Sequence, residues 1–194
     1  VVLDADPQRS IVKKHEQDRE RWPQLQPLYQ VVPCTQLSSE KETLNLIRAM
    51  RNEDFDFIID TPGSLTQQGL LPLMFEADAI VTPFQMEKTS VNGTTAFMDM
   101  GIMVAKENGL DRLPPFYFLP NQFNKNWGRK NELTEQQEFL DYFAKLGTVL
   151  PKMPNSAEIQ RYSTFFLTDK QREIIDKPFD MLYESKKKKK SKSA

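Results

Sequence analysis

The stretch Phe55-Asp56-Phe57-Ile58-Ile59-Asp60 is short, β-branched at its centre and stopped at once by Thr61-Pro62-Gly63. A near-continuous apolar run of that length suits a parallel strand buried on both faces, which confines the chain to folds in which helices cover a sheet. Further strand candidates lie at 28–32, 79–83, 115–120 and 148–150. Helix patterns fill the intervals. Ser39-x-x-Glu42 is a capping box, and Leu44, Ile47 and Met50 follow at helical spacing. Residues 87–108 read as one long helix closed by Gly109. Thr134-x-x-Gln137 opens another, with Phe139, Leu140, Phe143 and Leu146 as its apolar stripe. Thr168-x-x-Gln171 opens the last, carrying Ile174, Ile175, Phe179 and Leu182, and Pro178 inside it is expected to kink or divide it. Strands alternating with helices predict an α/β fold, a mainly parallel β-sheet flanked by helices.

Composition removes several classes. The 194 residues suffice for one domain, or one domain with an appendage, and 39 % apolar residues can bury a sizeable core. No apolar run approaches the roughly 20 residues that cross a bilayer. One cysteine, Cys34, rules out an intramolecular disulfide and a multi-cysteine zinc site; one histidine, His15, rules out a histidine-rich metal site. A reducing cytoplasm is the expected compartment. Six of the 26 basic residues are lysines in the last nine positions, Lys186 to Lys190 and Lys192, so an acidic body carries a cationic end. Residues 185–194 are expected to be a disordered tail, either a contact for nucleic acid or anionic membrane or simply a solubilising end.

In an open α/β sheet, ligands bind outside the carboxyl ends of the strands. Two candidate strands end in acids there, one in Asp4-x-Asp6-Pro7-Gln8 and the other in Asp60-Thr61-Pro62-Gly63. A carboxylate followed by a Pro-Gly turn with exposed N–H groups suits Mg²⁺-phosphate chemistry: the acid holds the hydrated metal and the amide meets a terminal phosphate. A second acid nearby can orient an attacking water. The bland alternative is that such an Asp caps the next helix.

These residues bear a family resemblance. Val2-Leu3-Asp4-Ala5-Asp6-Pro7-Gln8 resembles the second conserved segment of ParA-type ATPases, which partition plasmids and chromosomes. Asp56-Phe57-Ile58-Ile59-Asp60-Thr61-Pro62-Gly63 is similar to that family's Walker B and switch II segment, and Ala77-Asp78-Ala79-Ile80-Val81-Thr82-Pro83 to its next strand. Asn121-Gln122-Phe123-Asn124 stands where relatives place an adenine-contacting asparagine, and Leu150-Pro151-Lys152-Met153-Pro154 resembles the late proline loop beside the base. Order and intervals agree from residue 1 to about 165. The resemblance implies a P-loop NTPase-like, three-layer α/β/α domain over residues 1–184 that dimerises around ATP. By similarity Asp6 would position the attacking water and Asp4 would support the first switch region. Asp60 would hold Mg²⁺ through water. Gly63, after Pro62, would sense the γ-phosphate, and Asn121 and Pro154 would line the adenine pocket. ATP-bound dimers of the family coat DNA nonspecifically in the nucleoid, and a centromere-binding ParB-like protein stimulates hydrolysis. DNA-contacting residues are not identified.

The chain departs from the family in one respect. Its Gly-rich phosphate loop with Lys and Ser/Thr is absent, and with only 7 glycines no other stretch can substitute. Val1-Val2-Leu3 reads as the end of a buried strand, so either the first strand and the P-loop are expected upstream, with this chain a fragment, or the protein has lost hydrolysis. The polypeptide as it stands is therefore expected to lack ATPase activity. Two alternatives stay open: a non-hydrolysing DNA-binding or scaffold protein on the same fold, and a MinD-like membrane-positioning ATPase, against which Pro178 and the modest apolar face of the last helix argue. His15 is expected on a solvated helix and Cys34 in packing. Trp127, Arg129 and Lys130 read either as a contact for DNA or a partner or as an exposed loop with incidental charges.

Overall fold

The computed structural model describes residues 1–35, 37–63, 69–110, 113–124 and 130–190. The chain divides into two compact units: residues 1–77 with 162–167, and residues 78–161 with the chain from Thr168 onward.

The first unit alternates strand and helix: β1 (Val2–Asp4), α1 (Ser10–Arg21), β2 (Val31–Pro33), α2 (Glu40–Arg51), β3 (Ile58–Asp60) and α3 (Leu70–Glu76). Its sheet is parallel in the order β2-β1-β3, with Val2 facing Val31 and Ile58, and Asp4 facing Pro33 and Asp60. Alternation along β1 sorts its side chains. Leu3 and Ala5 join Cys34, Leu37, Ile47 and Leu73 in the core, against α2 and α3. Asp4, between them, points to α1 and accepts from the Ile11 and Val12 N–H groups. The Ser39 cap is formed as expected, its hydroxyl accepting from the Glu42 N–H at 3.3 Å.

The expectation that the 55–60 run is buried on both faces fails. Only Ile58–Asp60 pairs, and only with β1; Ile58 is 57 % exposed and Phe55 64 %. Among the described residues no strand covers the other edge of β3. Helix α3 gave no clear signal, because Gly69, Pro72 and the short apolar run around them carry no capping box.

The second unit continues with β4 (Ile80–Gln85), α4 (Lys88–Glu107), β5 (Phe116–Asn121), α5 (Lys130–Leu146), β6 (Thr148–Val149), α6 (Ala157–Gln160) and α7 (Asp169–Lys190). Its sheet is parallel in the order β4-β5-β6. The central strand β5 is buried along Phe116–Pro120, as a parallel strand covered on both faces should be. On one face Phe118 stacks on Phe143 of α5 at 4.6 Å, Phe84 lies 4.8 Å from the same ring, and Phe97 of α4 meets Phe116. On the other, Tyr117 and Leu119 pack with Leu150, Met153 and Leu182, backed by Ile174, Ile175 and Phe179 of α7. Helix α4 matches the expected span and ends at Gly109, whose φ of +65° is left-handed.

Two helix expectations are corrected. Thr134 does not open α5, which starts at Lys130. Pro178 does not divide α7, which runs on through it with the proline ring fully buried. The reciprocal cap at the start of α7 is present: Thr168 N–H donates to Gln171 Oε1 at 2.9 Å, and Gln171 N–H to the Thr168 hydroxyl at 3.3 Å. Helix α7 is described as far as Lys190. Trp127 and Arg129 lie outside the described residues. Among the described residues no helix is long and apolar enough to cross a membrane.

Candidate functional site

Parallel register assembles the acidic site in the first unit. Because Asp4 and Asp60 are paired across β1 and β3, both carboxylates leave the carboxyl edge of the sheet on the same face. The chain then closes the edge: Ala5 N–H donates to Asp60 O at 2.9 Å, and Cys34 N–H to Asp4 O at 2.8 Å.

Asp4 is 1 % exposed. Its Oδ2 accepts from Ile11 N–H at 3.1 Å and Val12 N–H at 2.9 Å, which caps the first turn of α1. The helix has no side-chain cap from its own neighbour, Arg9, which sits in the left-handed region at φ 50°. Asp4 therefore performs the capping role that the bland alternative assigned to it. Its second oxygen, Oδ1, is buried and has no hydrogen-bond partner among the described residues. A buried carboxylate oxygen without a donor is costly, and a cation is one way to satisfy it.

Asp6 is half-buried and holds the loop between β1 and α1. Its Oδ1 accepts from Gln8 N–H at 2.7 Å, and its carbonyl from Arg9 N–H at 2.9 Å. Asp60 is half-buried, and burial, then the charges of Asp4 and Asp6, push its carboxyl above the ordinary value. Asp60 thus senses the charges of both Asp4 and Asp6. Pro62 is buried beneath the turn after β3, and Gly63 is exposed with open space where a side chain would stand.

The residues expected at the base belong to the second unit. Asn121 ends β5, and its Oδ1 accepts from Gln122 N–H at 2.8 Å, which fixes a turn with Gln122 at φ 54°. The chain after β6 rejoins this turn. Phe123 bridges to Pro154, with Phe123 N–H donating to Met153 O at 2.8 Å and Asn155 N–H to Phe123 O at 2.9 Å. Asn121 and Pro154 are thus brought to one loop cluster at the carboxyl end of the second sheet. Asp4, Asp6, Asp60, Pro62 and Gly63 form a separate cluster in the first unit. Lys152 Nζ lies 4.4 Å over the Phe123 ring, a cation–π contact beside the Pro154 bridge.

No protein-family model and no curated protein matches the chain. Solved structures do. The apo form of McdA from Cyanothece superposes with a TM-score of 0.65 at 17 % identity, over 94 % of this chain and 85 % of that one. A plasmid partition protein from Borrelia burgdorferi gives 0.61 at 15 % identity, over 94 % and 84 %. An aspartate-to-alanine variant of Cyanothece McdA in complex with ATP gives 0.67 at 17 % identity, over 94 % and 83 %. The chain has the fold of the ParA-type partition proteins.

Within this ParA-type fold, one neighbour of the acids escapes sequence reading. Tyr162 lies more than a hundred residues from Asp60, yet burial, then the charges of Asp18, Asp60 and Asp4, push its phenol up. Lys14 Nζ lies 5.6 Å over its ring. Only the return of segment 162–167 to the first unit brings it there. His15 is corrected as well: it is 3 % exposed rather than solvated, because the same segment covers it.

Proposed function

We propose that this chain is the body of a ParA-like ATPase serving partition or maintenance of a plasmid, chromosome or mobile element. The observation that carries the reading is the abreast pairing of Asp4 and Asp60 at a sheet's carboxyl edge, with Asp6 in the same cluster. The partition-protein fold, and the ATP bound by one neighbour of that fold, support it.

The residues fit a hydrated Mg²⁺. Asp60 gains from a neighbouring cation, and the orphaned Asp4 Oδ1 marks where positive charge is lacking. Among the described residues no three His, Cys, Asp or Glu groups are placed to cage an ion by themselves. Mg²⁺ needs no such cage, since it keeps most of its waters and takes one or two carboxylates with phosphate oxygens. When bound with ATP, Mg²⁺ neutralises charge on the terminal phosphates. Asp60 would hold the hydrated ion and Asp6 would accept a hydrogen bond from the attacking water. Asp4 would anchor α1 behind them, and Gly63, turned by Pro62, would present its N–H to the terminal phosphate. Asn121 and Pro154 would line the base. The ATP-bound form would be a homodimer that binds DNA without sequence preference in the nucleoid, with a centromere-binding ParB-like protein as stimulator.

The Gly-rich loop with Lys and Ser/Thr does not occur in these 194 residues, so turnover by this polypeptide alone is expected to be nil. The same observation favours a second reading, a non-hydrolysing DNA-binding or scaffold protein on this fold. Mg²⁺ titrated into the chain should raise Tm by about 3–5 °C at ten times its Kd, equivalent to about 1.4 kcal/mol. Asp60→Asn should abolish that rise; an equal rise in both proteins would remove the acidic cluster from the reading. DNA retention then separates the functions. Binding that requires ATP supports the ATPase, and equal binding with and without ATP supports the scaffold.

A further inference from the structure

Residues 162–167 belong to the first unit, whereas the chain on either side of them belongs to the second. A buried polar cluster on α1 holds this segment. Asp18 Oδ2 accepts three hydrogen bonds from it: the Thr164 N–H at 2.8 Å, the Thr164 hydroxyl at 3.2 Å and the Ser163 hydroxyl at 3.2 Å. The other Asp18 oxygen is taken by the Lys14 ammonium. His15 Nδ1 lies 2.9 Å from the Thr164 hydroxyl oxygen, and the Phe165 ring packs 5.1 Å from the imidazole. Trp22 meets Phe166 edge-on at 5.7 Å at the end of the same helix. His15 and Asp18 are both buried.

Counting protons assigns the state of the histidine. The Thr164 hydroxyl has one hydrogen and gives it to Asp18, so toward His15 it accepts, and Nδ1 carries the proton. The neutral ring then has its lone pair on Nε2, which accepts from Arg19 Nη2 at 3.4 Å. A second proton on the ring would set an N–H against the guanidinium, donor against donor and cation against cation.

We propose that His15, Asp18 and Thr164 form a pH-sensitive clasp, which keeps segment 162–167 on α1 while His15 is neutral and releases it when His15 takes a second proton. The groups facing His15 are Arg19, Asp18 and Glu16 from its own helix, the Thr164 hydroxyl and Phe165 ring from the segment, and Tyr29, whose ring lies 6.4 Å away. Tyr162, at the start of the segment, lies under Lys14 instead. Burial, then Arg19, push the imidazole below its ordinary 6.5, against the opposing pull of Asp18 and Glu16. Burial pushes Asp18 up, but the hydrogen bonds from Lys14 and the Thr164 N–H outweigh it and hold the carboxyl below its ordinary value. The acceptor therefore stays ionised while the histidine titrates.

The sign follows from the lowered histidine value. The clasp is fully closed above pH 6.5 and weakens as pH falls from there to the folded-state value, by up to about tenfold in its closing equilibrium per pH unit. The chain has one histidine, so a single imidazole signal in NMR reports it without ambiguity. Its midpoint should lie below 6.5, and hydrogen-exchange protection of the Thr164 amide, corrected for intrinsic exchange, should fall with the same midpoint. In His15→Asn, a side-chain N–H replaces Nδ1 but does not titrate, so protection should stay level. A midpoint at or above 6.5, level wild-type protection between about pH 7.5 and about pH 5, or the same fall in His15→Asn overturns the proposal. The two wild-type measurements decide it even where the variant does not fold.

Discussion

Asp60 and His15 respond to pH in opposite directions, and each direction has its own cause. Asp60 has a raised folded-state value, so its native form holds extra protons above pH 3.8, and its contribution to stability falls as pH rises through that raised value. Asp60→Asn should therefore increase urea resistance at neutral pH without Mg²⁺ and remove that part of the pH profile; an unchanged or lowered midpoint would contradict the burial and the repulsion from Asp4 and Asp6 that raise it. His15 has a lowered value, so its contribution falls as pH drops below 6.5. Two glycines are required for space rather than for backbone freedom. A Cβ at Gly147 would stand 2.5 Å from the Phe116 carbonyl oxygen and 3.0 Å from the Phe118 ring. One at Gly69 would run into the Leu37 carbonyl and the Thr43 hydroxyl. Gly69→Ala should cost about 1–3 kcal/mol by denaturant titration, as overpacking against backbone does.

At the scale of elements, helix α7 shows which effect wins when local and tertiary terms conflict. A proline in a helix interior costs about 3 kcal/mol. Ile174, Ile175, Phe179 and Leu182 pack on the second sheet from the same helix, and burial of such side chains contributes about 1.5–3 kcal/mol each when complete. The packing exceeds the proline cost, and the helix continues. Helix α2 has no such conflict. Its Ser39 cap, Glu42 in the first turn and Arg48 and Arg51 in the last all favour the same span. Ser39→Ala should lower stability by about 1 kcal/mol, read as a shift in the urea midpoint with an unchanged slope. A shift near zero would mean that Thr43, whose hydroxyl donates to Ser39 O at 2.9 Å, holds the turn without the cap.

At the scale of the whole molecule, the chain builds two parallel sheets, each with its own core. Phe118 and Phe143 are fully buried and stacked in the second unit, and Leu3, Ile47 and Leu73 anchor the first. Phe118→Ala should cost about 3–5 kcal/mol. Native-state hydrogen exchange should show the loss in residues 78–161 while amides of β1 and α2 keep more of their protection, since local cores open as separate cooperative units. Equal loss across both units would show a single cooperative core. The acidic cluster and the asparagine–proline loop cluster lie on different units, so Asn121→Ala and Pro154→Ala should leave the expected effect of Mg²⁺ on Tm unchanged.

The alternation of strand and helix patterns, the caps at Ser39 and Thr168, the Gly109 stop and the acids at strand ends were all legible in the sequence, because each depends on neighbours within a turn or two. Aspartates at both strand ends were equally plain, since an apolar run that stops at a carboxylate needs no partner to be seen. Their meeting was not. Only the parallel register of β1 with β3 sets Asp4 beside Asp60, where burial and then the charges of Asp4 and Asp6 raise the carboxyl of Asp60. The exposure of Ile58 was likewise undecidable, because the composition of a strand does not say whether both of its edges are paired. His15 and Asp18 sit in a charged stretch that reads as solvated. What buries them is Thr164 and Phe165, nearly 150 residues away, and a contact at that separation leaves no local periodicity to read.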